Sequence, residues 1–133
     1  MGRKLEILVL DDEPIVGSRL KPTFEKAGYV VESFVDSREA LKRLHEKHFD
    51  IVVTDLKMAH VDGMEIHRFA KEHWPDCVVI IITGFATVET AREALQGGVF
   101  DFIAKPFKIN QLRDVVQRAA ETIAESRKGQ DRT

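Results

Sequence analysis

The residues able to do chemistry in this chain are Asp11, Asp12, Asp55, Thr83 and Lys105, and each follows a short apolar run. Asp11 and Asp12 close Ile7-Leu8-Val9-Leu10, and Asp55 comes just after Ile51-Val52-Val53 and Thr54. Thr83 closes Val78-Val79-Ile80-Ile81-Ile82, and Lys105 follows Phe102-Ile103-Ala104. If the first and third runs are neighbours, three carboxylates converge. Two carboxylates about 4 Å apart repel by roughly 4 kcal/mol at an effective dielectric of 20. Such a cluster needs protonation or a cation. Oxygen-only ligands with open positions suit Mg²⁺, which keeps several waters and often bridges to phosphate. Thr83 adds a hydroxyl donor, and Lys105 adds a mobile point charge for a phosphoryl oxygen. The set adds up to a magnesium-dependent phosphoryl-transfer site with a carboxylate nucleophile. Singly, each residue has a bland reading as a solvated cap, a turn residue or a polar strand end. The specificity lies in the set and its order.

The elements that must position these residues alternate. The apolar runs ending near Leu10, Phe34, Val53, Ile82 and Ile103 are rich in β-branched and aromatic residues and too short for helices. Several do not alternate with polar residues, which suits strands covered on both faces. Helical stripes lie between and after them. They are Val16-Leu20-Phe24-Ala27, Ala40-Leu41-Leu44, Ile66-Phe69-Ala70-Trp74, Val88-Ala91-Leu95 and Leu112-Val116-Ala119-Ile123. Asp36 with Glu39 predicts a capping box before the second helix, and Gly97-Gly98 predicts the end of the fourth. The order βαβαβαβαβα implies an α/β fold, a doubly wound parallel sheet with helices on both faces. In such a sheet the loops after the strand C-termini share one edge, where ligands bind.

The chain has 133 residues, 44% hydrophobic and 32% charged, which suits one domain and excludes a disordered or fibrous protein. Lys and Arg total 20 against 22 Asp and Glu, so global charge argues against direct nucleic-acid binding. The single cysteine, Cys77, cannot form an internal disulfide. No apolar stretch reaches the roughly 20 residues of a membrane span. After Ser126 the sequence turns polar, so residues 1–126 are expected to form the domain and 127–133 a polar tail or the start of a linker.

Ile7-Leu8-Val9-Leu10-Asp11-Asp12-Glu13-Pro14 resembles the opening of a bacterial two-component response-regulator receiver domain. Asp55-Leu56-Lys57-Met58 with Asp62-Gly63 resembles its phosphoacceptor loop. Ile81-Ile82-Thr83-Gly84 and Asp101-Phe102-Ile103-Ala104-Lys105-Pro106-Phe107 resemble its last two signatures. The stretch from Thr87 to Phe107 is most similar to receivers of the nitrogen-regulation type.

The resemblance implies a flavodoxin-like five-stranded sheet in the order 2-1-3-4-5. It implies that Asp55 accepts a phosphoryl group from a sensor histidine kinase or phosphotransfer protein. Asp11, Asp12, Asp55 and the Lys57 backbone carbonyl would hold Mg²⁺. Thr83 and Lys105 would contact the phosphoryl group, Phe102 would be the switch aromatic, and the Lys105–Pro106 bond would be cis. The chain would not be an enzyme, although it would assist its own phosphorylation and dephosphorylation. A cytoplasmic location, an output domain or protein as downstream partner, and a homodimer on phosphorylation are further expectations, with no membrane or direct nucleic-acid partner. The alternative is an interaction module with the same fold that no longer cycles phosphate. An enzyme on this topology is a third reading; no Gly-rich phosphate loop follows the first strand, and the spacing of an aspartate phosphatase is absent.

Departures from the family pattern are Ala59-His60 where Pro-Gly is common, Val99 where Ala is common, and Phe102 in place of Tyr. His45, His48, His60, His67 and His73 do not form a convincing metal pattern. Arg113, Arg118, Arg127, Lys128 and Arg132 are interleaved with acids, as on a solvated face; a docking face near Arg92, Asp101 and Arg113 is the competing reading. Lys57 and Phe85, two residues beyond Asp55 and Thr83, carry no carboxylate or amide to orient an attacking water. A phosphorylated Asp55 should therefore decay slowly. Intact mass followed after removal of the phosphodonor checks this, and a half-life of seconds contradicts it.

Overall fold

In the computed structural model, which describes residues 3–131, the apolar runs become strands and the stripes become helices. The order is β1 (Glu6–Leu10), α1 (Pro14–Lys26), β2 (Val30–Phe34), α2 (Ser37–Glu46), β3 (Ile51–Asp55), α3 (Gly63–His73), β4 (Val78–Thr83), α4 (Val88–Gln96), β5 (Asp101–Ala104) and α5 (Ile109–Asp131). All strand pairs are parallel, in the order β2-β1-β3-β4-β5. The chain winds outward in both directions from β1, and the reversal falls between β1 and β3.

Two apolar layers explain why the central strands do not alternate. Ile7, Val9, Ile51, Val53, Ile80 and Ile82 face α1 and α5. Leu8, Leu10, Val52, Val79 and Ile81 face α2, α3 and α4. Each fully buried aliphatic side chain contributes roughly 1.5–3 kcal/mol from the area it removes from water. Register then fixes the functional edge. Leu10 pairs with Thr54, Asp55 with Ile82 and Thr83 with Ala104, so Asp11, Asp55, Thr83 and Lys105 emerge together.

Local details depart from the sequence-based expectation in instructive ways. Asp55 and Thr83 are the last residues of their strands, because the ladder continues past the last apolar residue. Val99 and Phe100 precede β5. Asp36 caps α2 through the Arg38 amide, and the Arg38 guanidinium, not Glu39, completes its bonding. The reciprocal capping box occurs instead at α4, between Thr87 and Thr90.

The boundary expected after residue 126 falls inside α5, which continues to Asp131. Within that stretch Arg127 makes an ion pair with a residue far away in sequence. Asp50, 1% exposed, sits just before β3 at the edge opposite the functional one. Its carboxylate accepts from Arg3 Nη1 and Nη2 at 2.8 and 3.0 Å, from the Glu6 amide at 2.7 Å and from Arg127 at 2.7 Å. Arg127 therefore belongs to the folded body and not to a solvated face. Burial alone would raise the Asp50 carboxyl, but the Arg3, Glu6 and Arg127 bonds outweigh it and hold it below its ordinary value.

A carboxyl held low in the fold stabilises fully above the unfolded value of 3.8 and loses that contribution as pH falls through the folded value. Asp50→Asn should cost about 3 kcal/mol at pH 6, near the lower end for breaking a buried pair because both arginines keep access to water. The cost should shrink at pH 3. Urea melts at the two pH values check it; a pH slope identical to the parent's contradicts it.

Candidate functional site

The reversal point between β1 and β3 opens a crevice at the strand C-termini, and the acids line it. Asp11 and Asp55 are 1% and 5% exposed, and Asp12 is exposed. One carboxylate oxygen from each of the three lies within 4.8 Å of the others. Asp11 Oδ1 accepts from the Glu13 amide at 2.9 Å, and Asp55 Oδ1 accepts from the Leu56 amide at 2.8 Å. These bonds fix both carboxylates and turn their Oδ2 atoms inward.

The charge is balanced from β5. The Lys105 ammonium lies 2.7 Å from Asp11 Oδ2, 3.1 Å from Glu13 Oε1 and 3.3 Å from Asp55 Oδ2. The Asp11 contact is close but poorly aligned, so Asp11 Oδ2 is buried without a true hydrogen bond. Three converging carboxylates, an all-oxygen donor set, fit a hard divalent cation. Burial and the Asp11 charge push the Asp55 carboxyl up, while Lys105 pulls it down. Burial works against the Lys105 charge, but Asp11, Glu13 and Asp55 outweigh it and raise its pKa, so it stays an ammonium.

Thr83 is fully buried, and its Oγ1 accepts from the Phe85 amide at 3.0 Å. Its hydroxyl proton is left free to donate. Phe102 pairs with Ile81, two residues before Thr83, so Phe102 and Thr83 share a sheet face. Phe102 is half-buried against the α2–α4 layer. Lys57 lies in the adjoining loop with its side chain exposed. The Lys105–Pro106 bond is cis.

The loop behind Asp55 is braced from both sides. Gly63 starts α3 so close to the Asp55 carbonyl that an added Cβ would collide with backbone. Where the family pattern has glycine, His60 adopts a positive φ of 73°. Ser37, buried at the start of α2, compensates: its hydroxyl donates to the Ala59 carbonyl at 2.8 Å and accepts from the Val61 amide at 3.1 Å. Ser37 and Asp50 were not legible as special, because an isolated Ser or Asp beside an apolar run carries no local sign of burial. Glu13 was visible only as one more acid after β1.

The other singled-out residues sort into packing. Among the described residues, the acidic trio is the one group of three or more candidate ligands that converges. His45 and His73 pack on Phe69, His48 bonds to Asp76 at 3.0 Å, and His67 is buried against Gly98 with neither ring nitrogen paired. Burial pushes His67 down, so it is neutral. Cys77 lies just before β4, its thiol pushed up to about 12 by burial and hence inert. Trp74 donates to the Leu44 carbonyl at 2.8 Å. Asp101, in the face named with Arg92 and Arg113, pairs with Arg118 at 3.0 Å.

A parallel sheet of order 2-1-3-4-5 with acids, Thr and Lys at its C-terminal edge has the parts to bind a cation and an anionic group. The description of the response regulator receiver domain matches residues 7–117, and the chain belongs to that family. The chain is similar to the regulatory protein AtoC of Escherichia coli (strain K12), 37% identical over 113 residues, which is 85% of this chain and 24% of AtoC. It is similar in structure to a response regulator receiver domain protein from Clostridium thermocellum, with a TM-score of 0.81 at 32% identity over 89% of this chain and 95% of the other. It also matches a Burkholderia pseudomallei response regulator containing a phosphorylated aspartic acid and a calcium ion, with a TM-score of 0.78 at 27% identity over 92% and 73% of the two chains. The chain spans about a quarter of the length of the curated relatives it matches. Among the described residues, no helix is long and apolar enough to cross a membrane.

His60→Gly should stabilise the fold by about 1 kcal/mol, the strain of a left-handed non-glycine residue. Ser37→Ala should destabilise it by about 1–3 kcal/mol, because two loop backbone groups lose their partner. Denaturant melts of the two variants check both signs.

Proposed function

We propose that Asp55 is the phosphoacceptor of this receiver and that the donor is the phosphohistidine of a sensor kinase or phosphotransfer protein. The observation that carries the reading is the placement of Asp55 Oδ2, 3.3 Å from the Lys105 ammonium and within the acidic trio. That oxygen attacks phosphorus, the P–N bond breaks, and the histidine nitrogen leaves with its electron pair and takes a proton. The Leu56 amide holds the other carboxylate oxygen and so orients the nucleophile. Lys105 then follows the phosphoryl oxygens, and Thr83 donates its free hydroxyl proton to one of them.

Asp11, Asp12 and Asp55, with the Lys57 carbonyl, hold Mg²⁺ in this reading. The ion, when bound, neutralises charge on the transferring phosphoryl group. The chain assists its own modification without being an enzyme.

The switch follows from differential contacts. A phosphoryl group adds about 1.5 to 2 negative charges and three strong acceptors. Thr83 and Lys105 gain contacts only in that state, and such a differential can shift a two-state equilibrium. Drawing Thr83 toward the site vacates space on the face it shares with Phe102, so the aromatic ring reports the state to the α4–β5 surface. The reader of that surface is an output domain or protein, or a second copy of the chain. The proposed setting is the cytoplasm.

Incubation with acetyl phosphate and Mg²⁺ should add one phosphoryl group by intact mass. The gain should need Mg²⁺ and be absent in Asp55→Asn. No gain in the parent, also with a phosphoramidate donor, would favour the interaction module that does not cycle phosphate.

A further inference from the structure

Glu13 occupies the N-cap position of α1, yet its side chain makes no cap hydrogen bond. Its Oε1 instead accepts from the Lys105 ammonium at 3.1 Å. The same ammonium lies 2.7 Å from Asp11 Oδ2 and 3.3 Å from Asp55 Oδ2. The three carboxylates are not equivalent. The side chains of Asp11 and Asp55 are 0% and 8% exposed, whereas that of Glu13 is 62% exposed. Asp11 and Asp55 also belong to the trio that can hold a cation, and Glu13 does not.

Two positive groups therefore compete for one buried pair of acids. An ammonium and a divalent cation on the same oxygens repel each other, and the repulsion is large where water is scarce. A further carboxylate within reach of the same edge eases that repulsion by drawing the ammonium away from Asp11. Glu13 is that carboxylate, already bonded and on the solvent side.

We propose that Glu13 is a positioning residue that acts through Lys105: it holds the ammonium away from Asp11 when a divalent cation is bound and keeps it beside Asp55 for the phosphoryl group. This rests on the metal reading given above. It makes the Lys105 contact to Asp11 a resting contact, replaced on metal binding, and the contact to Glu13 the one that persists. The acid trio alone does not require Glu13; the crowding of the Lys105 ammonium against Asp11 does.

The test is a double-mutant cycle read as Mg²⁺ affinity, with no phosphorylation involved. Backbone amide NMR shifts of the loop after β1 are followed during Mg²⁺ titration at constant ionic strength. Glu13→Gln should weaken Mg²⁺ binding about threefold in the parent, the scale of a partly exposed ion pair. In a Lys105→Met background the same substitution should leave the affinity unchanged. Equal weakening in both backgrounds would mean that Glu13 attracts the cation directly through space, and it overturns the proposal. Unchanged or tighter binding in the parent background overturns it too. Failure of the metal reading is distinguishable, because the unsubstituted chain would then show no saturable Mg²⁺ shift at all, and the proposal would fall with it.

Discussion

The repulsion between Asp11 and Asp55 is the constraint that the functional edge is organised around. Two carboxylates almost fully withdrawn from water cannot both stay charged without a cation beside them. The sequence supplies that cation from a residue 50 positions beyond Asp55, so the site exists only when β5 lies in the same sheet as β1 and β3. A parallel sheet meets this demand because all its strand C-termini lie on one edge. The apolar layers on both faces are thus the means by which three acids and one ammonium are held at bonding distance.

The opposite edge solves a similar problem differently. Asp50 is as buried as Asp11, but its oxygens are covered by two arginines and a backbone amide. Guanidinium groups give fixed, forked bonds, while a lysine gives a point charge on a flexible stem. The clamp around Asp50 is fully satisfied and holds β1, β3 and α5 together. The Oδ2 of Asp11 is instead faced by an ammonium on a flexible stem, which can move. One edge is built to stay, and the other is built to change partners.

Much of this was legible in the sequence because its signals were local. Non-alternating runs such as Val78–Ile82 announce burial on both faces, and polar residues directly after them announce an edge. The motif resemblance then tied Asp55, Thr83 and Lys105 to one site. What escaped depends on partners distant in sequence. Arg127 reads as the start of a polar tail until Asp50 is found beneath it. Ser37 reads as an ordinary helix start until the Ala59–Val61 loop folds over it. The strands run on to Asp55 and Thr83, two residues and one residue past the apolar runs, because an apolar pattern stops where the hydrogen-bonded ladder does not.

The position of Trp74 has a practical consequence. It is the only indole in the chain, and it is tied to the Leu44 carbonyl where the C-terminal ends of α2 and α3 meet, on the far side of the sheet from the acids. Its ultraviolet emission should therefore follow whether α2 and α3 are docked more than what happens at the strand C-termini. Tryptophan fluorescence should then serve as a gauge of global unfolding, leaving loading of the acidic edge to be followed by a separate signal.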